Sequence, residues 1–114
     1  VSFVEATAVY LITHGYCPIM AYTGRQAIQE ARHRPVDLAI IDLYLPDMGG
    51  LQVAGEVCRE HPAAVIIAIS SDDSQETVQK CVEAGVHAFL AKPLLPRELL
   101  LRIREALGRC GTPR

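Results

Sequence analysis

Short apolar runs alternate along the chain with stretches in which apolar residues recur every three or four positions. The runs at 38–41, 64–69 and 86–90 are aliphatic and bounded by polar or turn-forming residues, which is typical of strands buried on both faces. Residues 1–4 form a weaker run, and residues 18–21 indicate an edge strand because proline is tolerated at an edge. The runs therefore predict a parallel sheet.

Helical patterns lie between these runs, and several have recognisable ends. Thr23 and Gln26 have the spacing of a capping box, and Pro96 suits the first turn of a helix. Gly85 and Gly108 each follow an apolar stripe and predict the end of a helix. The stripes consist of Leu51, Ala54, Val57 and Cys58; Val78, Cys81 and Val82; and Leu99, Leu100, Ile103 and Leu107. Strict alternation of strand and helix predicts an α/β fold with helices on both faces of the sheet.

Length and composition limit the classes of protein that fit. The 114 residues suit one domain, which we expect over 1–108, with a frayed tail over 109–114. The chain is 50% hydrophobic and 21% charged, so it should build a core rather than stay disordered. Its net charge of −2 provides no positive field for nucleic acid or an anionic membrane. No membrane span or secretory signal is evident, and the four scattered cysteines favour free thiols in a cytoplasmic protein.

Three polar residues each follow a predicted strand at the point where it ends. They are Asp42, Ser70 and Lys92. Because the carboxyl ends of parallel strands meet at one edge of the sheet, we expect these side chains to converge there. A carboxylate can attack phosphorus, while an ammonium and a hydroxyl can bind the oxygens of the transferring group. The combination predicts a site for phosphoryl transfer.

Each of these residues also has an ordinary structural explanation. An Asp after a strand commonly starts a turn, and Ser70, with Ser71, Asp72 and Asp73 behind it, also suits the cap of the next helix. Lys92 alone would fit a solvated surface. The combination of all three at one edge favours phosphoryl transfer over three unrelated surface residues.

The segment around Asp42 resembles that around the phosphoacceptor Asp in the receiver domains of two-component response regulators. It has Pro46 four residues and Gly50 eight residues after Asp42, as that family does. The resemblance runs from about Gly15 to Leu107. It therefore covers most of the chain.

The second half of the chain carries the other motifs of the resemblance. Ser70 lies 28 residues after Asp42 and 22 before Lys92, and both separations are typical of the family. Lys92-Pro93 is similar to the family's Lys-Pro, whose bond is often cis. Phe89 stands at the family's aromatic switch position.

The resemblance implies a flavodoxin-like, doubly wound (βα)5 sandwich whose five-stranded parallel sheet has the strand order 2-1-3-4-5. It implies that Asp42 accepts a phosphoryl group from a sensor histidine kinase or phosphotransfer protein, with Ser70 and Lys92 binding its oxygens. Ser70 and Phe89 would then switch partner binding, or dimerisation through the last two strands and helices. Such a phosphorelay domain is not a turnover enzyme.

Mg²⁺ is the cofactor that the resemblance implies, with Glu5, Asp42 and the backbone carbonyl of Tyr44 as its ligands. The family carries two adjacent acids after its first strand, whereas this sequence has no acid pair there, and Glu5 lies only ten residues before Gly15. Three explanations are open. In the first, about six residues with the second acid are missing from this sequence, and their presence would lengthen a crossover helix that is otherwise short. In the second, the protein itself lacks these residues. In the third, residues 1–14 are the whole first helix. The last would leave a gap at the centre of the sheet, which we expect to prevent folding.

Two other functions belong to different classes. A pseudo-receiver would keep the fold as a protein-interaction module without taking phosphoryl groups. It is favoured if the second acid is absent, because one weak carboxylate ligand beside Asp42 would hold Mg²⁺ poorly. A phosphatase of the haloacid dehalogenase kind would need a second Asp two residues after the nucleophile, where this chain has Tyr44.

Overall fold

Strands and helices alternate along the whole described chain. The computed structural model describes residues 9–19, 23–93 and 95–110. Residues 9–13 are helical (α1), and the chain continues through β1 (Pro18–Ile19), α2 (Gly24–His33), β2 (Leu38–Asp42), α3 (Gly50–Glu60), β3 (Val65–Ser70), α4 (Gln75–Glu83), β4 (Ala88–Ala91) and α5 (Pro96–Cys110). The predicted α/β class is confirmed.

The four described strands form one parallel sheet in the order β1-β2-β3-β4. The predicted order 2-1-3-4-5 counts the run at 1–4 as strand 1 and places it between the strand at Pro18 and the strand at Leu38. These two strands, β1 and β2 here, are instead direct neighbours. Pro18 pairs with Leu38 and Ile19 with Ala39, so β1 occupies the hydrogen-bonding edge of β2. Two strands joined by one crossover helix can pair side by side in this way. The weaker run at 1–4 lies outside the described residues.

Three predicted helix ends are confirmed, the first being the start of α5 at Pro96. The side chain of Thr23 accepts a hydrogen bond of 3.1 Å from the N–H of Gln26 at the start of α2. Gly85 follows α4 with a φ of +88°, the left-handed conformation in which glycine ends helices. The N–H of the next residue, Val86, then donates to the carbonyl of Cys81 at 3.0 Å. Because this cap uses Val86, β4 begins later than the predicted run at 86–90.

Two other predicted ends are wrong. The helix α5 continues past Gly108 to Cys110, and the positive φ that ends a helix occurs, among the described residues, only at Gly15 and Gly85. Residues 109–110 of the predicted tail are therefore helical, and 111–114 lie outside the described residues. The N-cap of α4 is Ser74, whose side chain accepts from the N–H of Thr77 at 3.3 Å, rather than one of the polar residues just before it.

Helices cover both faces of the sheet, as predicted. The residues of α2 and α3 that pack on one face are Ala27, Ala31, Val53, Ala54 and Val57, and those of α1 and α5 on the other are Leu11, Leu99, Ile103, Ala106 and Leu107. A third, smaller cluster joins Leu43, Ala68 and Cys81. Cys17, Cys58 and Cys81 are free thiols, as expected. None of the described helices is long and apolar enough to span a membrane.

Candidate functional site

Asp42 and Lys92 meet at the carboxyl edge of the sheet, as the sequence predicted. Asp42 is the last residue of β2, and Lys92 directly follows β4. The ammonium of Lys92 forms a hydrogen-bonded ion pair with Oδ2 of Asp42, although β3 lies between the two strands. The side chains of Asp42 and Lys92 are 33% and 46% exposed, so a reactant can reach them from solvent.

The main chain after β2 orients the Asp42 carboxylate. Its Oδ1 accepts a hydrogen bond of 2.9 Å from the N–H of Tyr44, so both carboxylate oxygens are engaged. The N–H of Leu43 continues the sheet by donating to the carbonyl of Ile69 at 3.0 Å. Gly50 permits α3 to begin against this strand end, because a Cβ there would lie 2.4 Å from the backbone oxygen of Asp42. The position of Asp42 is therefore fixed by backbone contacts.

Ser70 lies at the same edge, but its hydroxyl is engaged elsewhere. It is the last residue of β3 and has 0% exposure. Its Oγ accepts a hydrogen bond of 3.0 Å from the N–H of Asp72, and its carbonyl accepts one of 2.9 Å from the N–H of Lys92. This contact uses an acceptor position of Oγ and leaves the O–H as a donor, so a role at a phosphoryl group requires the hydroxyl to turn toward Asp42.

Phe89 packs below this edge of the sheet. It pairs in register with Ala68 and is half-buried against the cluster of Leu43, Ala68 and Cys81. It lies on the strand that leads to Lys92, and the Lys92-Pro93 bond is cis, as the resemblance led us to expect. The ring thus packs against the cluster that includes Leu43, the residue after Asp42, and lies three residues before Lys92.

A hydrogen-bond network centred on Asp72 lies next to the predicted residues. Oδ2 of Asp72 accepts from the hydroxyl of Thr77 at 2.8 Å and from that of Tyr44 at 3.0 Å, while Oδ1 accepts from the N–H of Ser74 at 3.1 Å. These donors, that of Thr77 first, hold the pKa of Asp72 at about 2. The hydrogen bond to Asp72, and then its charge, raise the pKa of Tyr44.

Sequence reasoning missed this network, although a signal for it was present. Tyr44 and Asp72 each lie two residues after a strand-end residue of the predicted site, so their side chains border the same edge. From the sequence, Tyr44 is expected to contribute its backbone carbonyl and stands where a phosphatase has its second Asp, while Asp72 is expected as a helix cap.

Asp47 is a second acid that the sequence did not single out. Its Oδ1 accepts from the N–H of Gly24 at 2.8 Å and its Oδ2 from the N–H of Arg25 at 3.0 Å. These two hydrogen bonds, that of Gly24 first, lower the pKa of Asp47. The carboxylate therefore links the loop after β2 to the start of α2.

The described residues do not by themselves complete a metal site. Asp42 and the carbonyl of Tyr44 are oxygen donors of the kind that Mg²⁺ prefers. However, no group of three or more His, Cys, Asp or Glu side chains that could hold a metal occurs within 9–19, 23–93 and 95–110. Glu5, the other predicted ligand, lies outside the described residues.

This chain is similar in sequence to known regulatory proteins. The transcriptional regulatory protein KdpE of Mycobacterium tuberculosis is 37% identical over 105 residues, which are 92% of this chain but only 46% of KdpE. The chain thus spans less than half of this relative's length.

Two solved structures show the same architecture. The CheY-like response regulator receiver domain protein from Methanospirillum hungatei is 28% identical, with a TM-score of 0.80 over 94% of this chain and 86% of that one. A response regulator protein from Burkholderia pseudomallei, solved with a phosphorylated aspartic acid, calcium ion and citrate, is 25% identical, with a TM-score of 0.72 over 93% of this chain and 68% of that one.

A family model described as the response regulator receiver domain matches residues 2–104. The match covers every described strand and the edge at which Asp42, Ser70 and Lys92 converge. The chain therefore belongs to the response regulator receiver domain family.

Proposed function

We propose that this domain is a signalling switch that accepts one phosphoryl group on Asp42. The observation that carries the proposal is the Asp42 carboxylate, held between the Tyr44 N–H and the Lys92 ammonium at an exposed edge of the sheet. Such a carboxylate is an accessible nucleophile, and the neighbouring cation can offset the charge of a transferring group. The domain would take up phosphoryl groups singly rather than act as a turnover enzyme.

The phosphoryl group would come from the phosphohistidine of a sensor histidine kinase or a phosphotransfer protein. An oxygen of Asp42 attacks the phosphorus in line, and the phosphorus–nitrogen bond breaks, leaving its electron pair on the imidazole. The product is an acyl phosphate on Asp42. Lys92 gives up its contact with the carboxylate oxygen and pairs with an oxygen of the phosphoryl group.

Mg²⁺ is the proposed cofactor, with Glu5, Asp42 and the backbone carbonyl of Tyr44 as oxygen ligands. When bound, it would offset negative charge on the phosphoryl oxygens. The proposed switch is the movement of the Ser70 hydroxyl from the Asp72 N–H to the new phosphoryl group, followed by movement of the Phe89 ring. Such a movement would break a single hydrogen bond of 3.0 Å.

The output would be altered partner binding, or a homodimer through the last two strands and helices. Exposed apolar side chains on α4 and α5, Val82 and Leu101, support that surface. The span of 1–108 as one receiver domain and the cytoplasmic location stay predictions. The matched residues make up only 46% of KdpE, so the proposal concerns this domain and not a whole protein.

Intact mass spectrometry with acetyl phosphate and Mg²⁺ tests the proposal directly. The wild-type domain should gain one phosphoryl group, Asp42→Asn should gain none, and Asp73→Asn, which changes an exposed acid before α4, should label like the wild type. No gain by the wild type at any Mg²⁺ concentration would instead support the pseudo-receiver alternative.

A further inference from the structure

The loop between β2 and α3 is closed at its base beside Asp42. Tyr44 and Gly49 form an antiparallel bridge, and the N–H of Gly50 donates to the carbonyl of Leu43 at 3.0 Å. Tyr44 also donates its N–H to Asp42. A shift of this loop therefore moves a group that holds the Asp42 carboxylate.

The tip of the loop is held by Asp47 on the start of α2. The first N–H groups of a helix have no partner within it, and two of those of α2, at Gly24 and Arg25, are taken by the two oxygens of Asp47. A carboxylate in this place also interacts favourably with the helix dipole. Both oxygens being used, the loop tip is held at two points rather than one.

Close packing beside these hydrogen bonds fixes the same junction. A Cβ added to Gly24 would lie 2.2 Å from Cγ and 2.6 Å from Sδ of Met48, and 2.8 Å from a methyl carbon of Val53. The backbone of α2 thus rests directly on the loop and on α3. With the Met48 and Val53 side chains in these positions, only glycine fits at position 24.

We infer that Asp47 is a positioning residue for phosphoryl transfer: by anchoring the loop tip to α2, it keeps the Tyr44 N–H on the Asp42 carboxylate. The inference rests on the proposed function, because it concerns the reaction at Asp42. Asp47 acts through Tyr44. Small losses of alignment at a reacting group cost rate even when the fold is kept.

Replacement of Asp47 tests the inference with acetyl phosphate at saturating Mg²⁺. Asp47→Asn keeps one oxygen acceptor but turns a donor toward the other N–H, and Asp47→Ala removes both acceptors. We expect the maximum labelling rate to fall about tenfold for Asp47→Ala and less for Asp47→Asn. The acetyl phosphate concentration at half-maximal rate should not change, because the donor does not bind Asp47. Glu60→Gln, at the far end of α3, is the matched control.

Amide hydrogen exchange separates positioning from general loss of stability. In both Asp47 variants the Tyr44 N–H should exchange faster than in the wild type, while that of Ile67 in β3 stays protected. Gly24→Ala should also slow labelling and speed the exchange of the Tyr44 N–H, without changing any charge. The additional change Met48→Ala should restore part of the labelling rate and of the Tyr44 protection, because it removes the nearest clash.

The outcomes distinguish this inference from the proposed function. If the wild type labels and folded Asp47→Asn and Asp47→Ala label at the wild-type rate, the inference is wrong, whatever the exchange of Tyr44 shows. If the wild type does not label at all, the proposed function fails, and faster exchange of Tyr44 in the variants would then establish the loop anchor alone. Should Asp47→Ala not fold, Asp47→Asn decides.

Discussion

The hydroxyl of Tyr44 donates a hydrogen bond of 3.0 Å to Oδ2 of Asp72 and so joins the loop after β2 to the loop after β3. Asp72 also donates its N–H to the Ser70 hydroxyl and accepts from Thr77 in α4. One acid therefore contacts an exposed tyrosine, the proposed switch hydroxyl and the next helix. A movement of Ser70 reaches α4 through contacts that are already formed.

The titration of Tyr44 should report the contact with Asp72. Because its hydroxyl proton is held by a nearby carboxylate, the pKa of Tyr44 lies above its ordinary value of 10.0. The ultraviolet pH titration of the wild type minus that of Tyr44→Phe isolates this residue. We expect a midpoint above 10.0, and a lower one when the same pair is compared in an Asp72→Asn background. If the titration midpoint of Tyr44 is the same with Asp72 and with Asp72→Asn, the hydrogen bond between the two side chains is contradicted.

Asp72 should make folding stability depend on pH in the acid range. Its pKa of about 2 in the folded protein is below its ordinary value of 3.8, so the folded state binds fewer protons between these values. This stabilisation is present above the ordinary value and is lost as the pH falls toward 2. Denaturation midpoints of the wild type and Asp72→Asn should therefore differ most above about pH 5 and converge on acidification.

Thr77→Val provides the second variant for this prediction, since Thr77 is the largest cause of the lowered pKa. Its removal should raise the pKa of Asp72 toward the ordinary value. The fall in stability on acidification should then be smaller for Thr77→Val than for the wild type: it begins near the same ordinary value but ends at a higher pH. A constant difference between the wild type and Asp72→Asn at every pH would show that the carboxylate is not held in this way.

The sequence predicted those parts of the domain that depend on local patterns. Buried runs and strand-end residues gave the sheet edge at which Asp42 and Lys92 meet, because parallel strands bring their carboxyl ends together whatever the details. It did not predict the direct pairing of Pro18 with Leu38, since which strands are neighbours depends on competition between whole elements. Nor did it predict the hydrogen bonds of Asp47 to the start of α2, because its partner N–H at Gly24 is 23 residues away.

Replacement of Lys92 should separate stability from chemistry. The Lys92–Asp42 pair is partly exposed, so Lys92→Gln should change the free energy of unfolding by no more than about 1 kcal/mol. The labelling rate with acetyl phosphate should fall by about 10²-fold, because the Lys92 ammonium then no longer offsets the charge of the transferring group. Lys92→Arg should recover part of the rate, since it restores the charge with a different shape. Equal labelling by Lys92→Gln would exclude this role.

Ser70→Ala should separate phosphoryl acceptance from the response to it. The variant leaves the Asp72 N–H without its acceptor, at a cost of about 1 kcal/mol, but does not change Asp42. We expect Ser70→Ala to gain a phosphoryl group by mass spectrometry. The nuclear magnetic resonance signals of the Phe89 ring should then shift on labelling in the wild type and not in the variant. The same ring shift in both proteins would show that Ser70 does not drive Phe89.

The neighbouring glycines Gly49 and Gly50 should lose very different amounts of stability on the same substitution. A Cβ at Gly50 would lie 2.4 Å from the backbone oxygen of Asp42 and 2.6 Å from Cα of Leu43, whereas one at Gly49 would meet nothing within 4 Å. The backbone cannot give way as a flexible side chain can. We therefore expect Gly50→Ala to lose about 1–3 kcal/mol of stability or more.

The clash at Gly50 involves the backbone of Asp42, the proposed phosphoryl acceptor. Gly50→Ala should therefore also accept a phosphoryl group slowly where it remains folded. Gly49→Ala changes the N-cap of α3, where alanine is a poorer cap, and its φ of −71° suits any residue. Its cost should stay within about 1 kcal/mol and its labelling rate near that of the wild type. Chemical denaturation and acetyl phosphate labelling of the two variants side by side measure both effects. Similar losses in both would mean that α3 does not begin as closely against Asp42 as these contacts require.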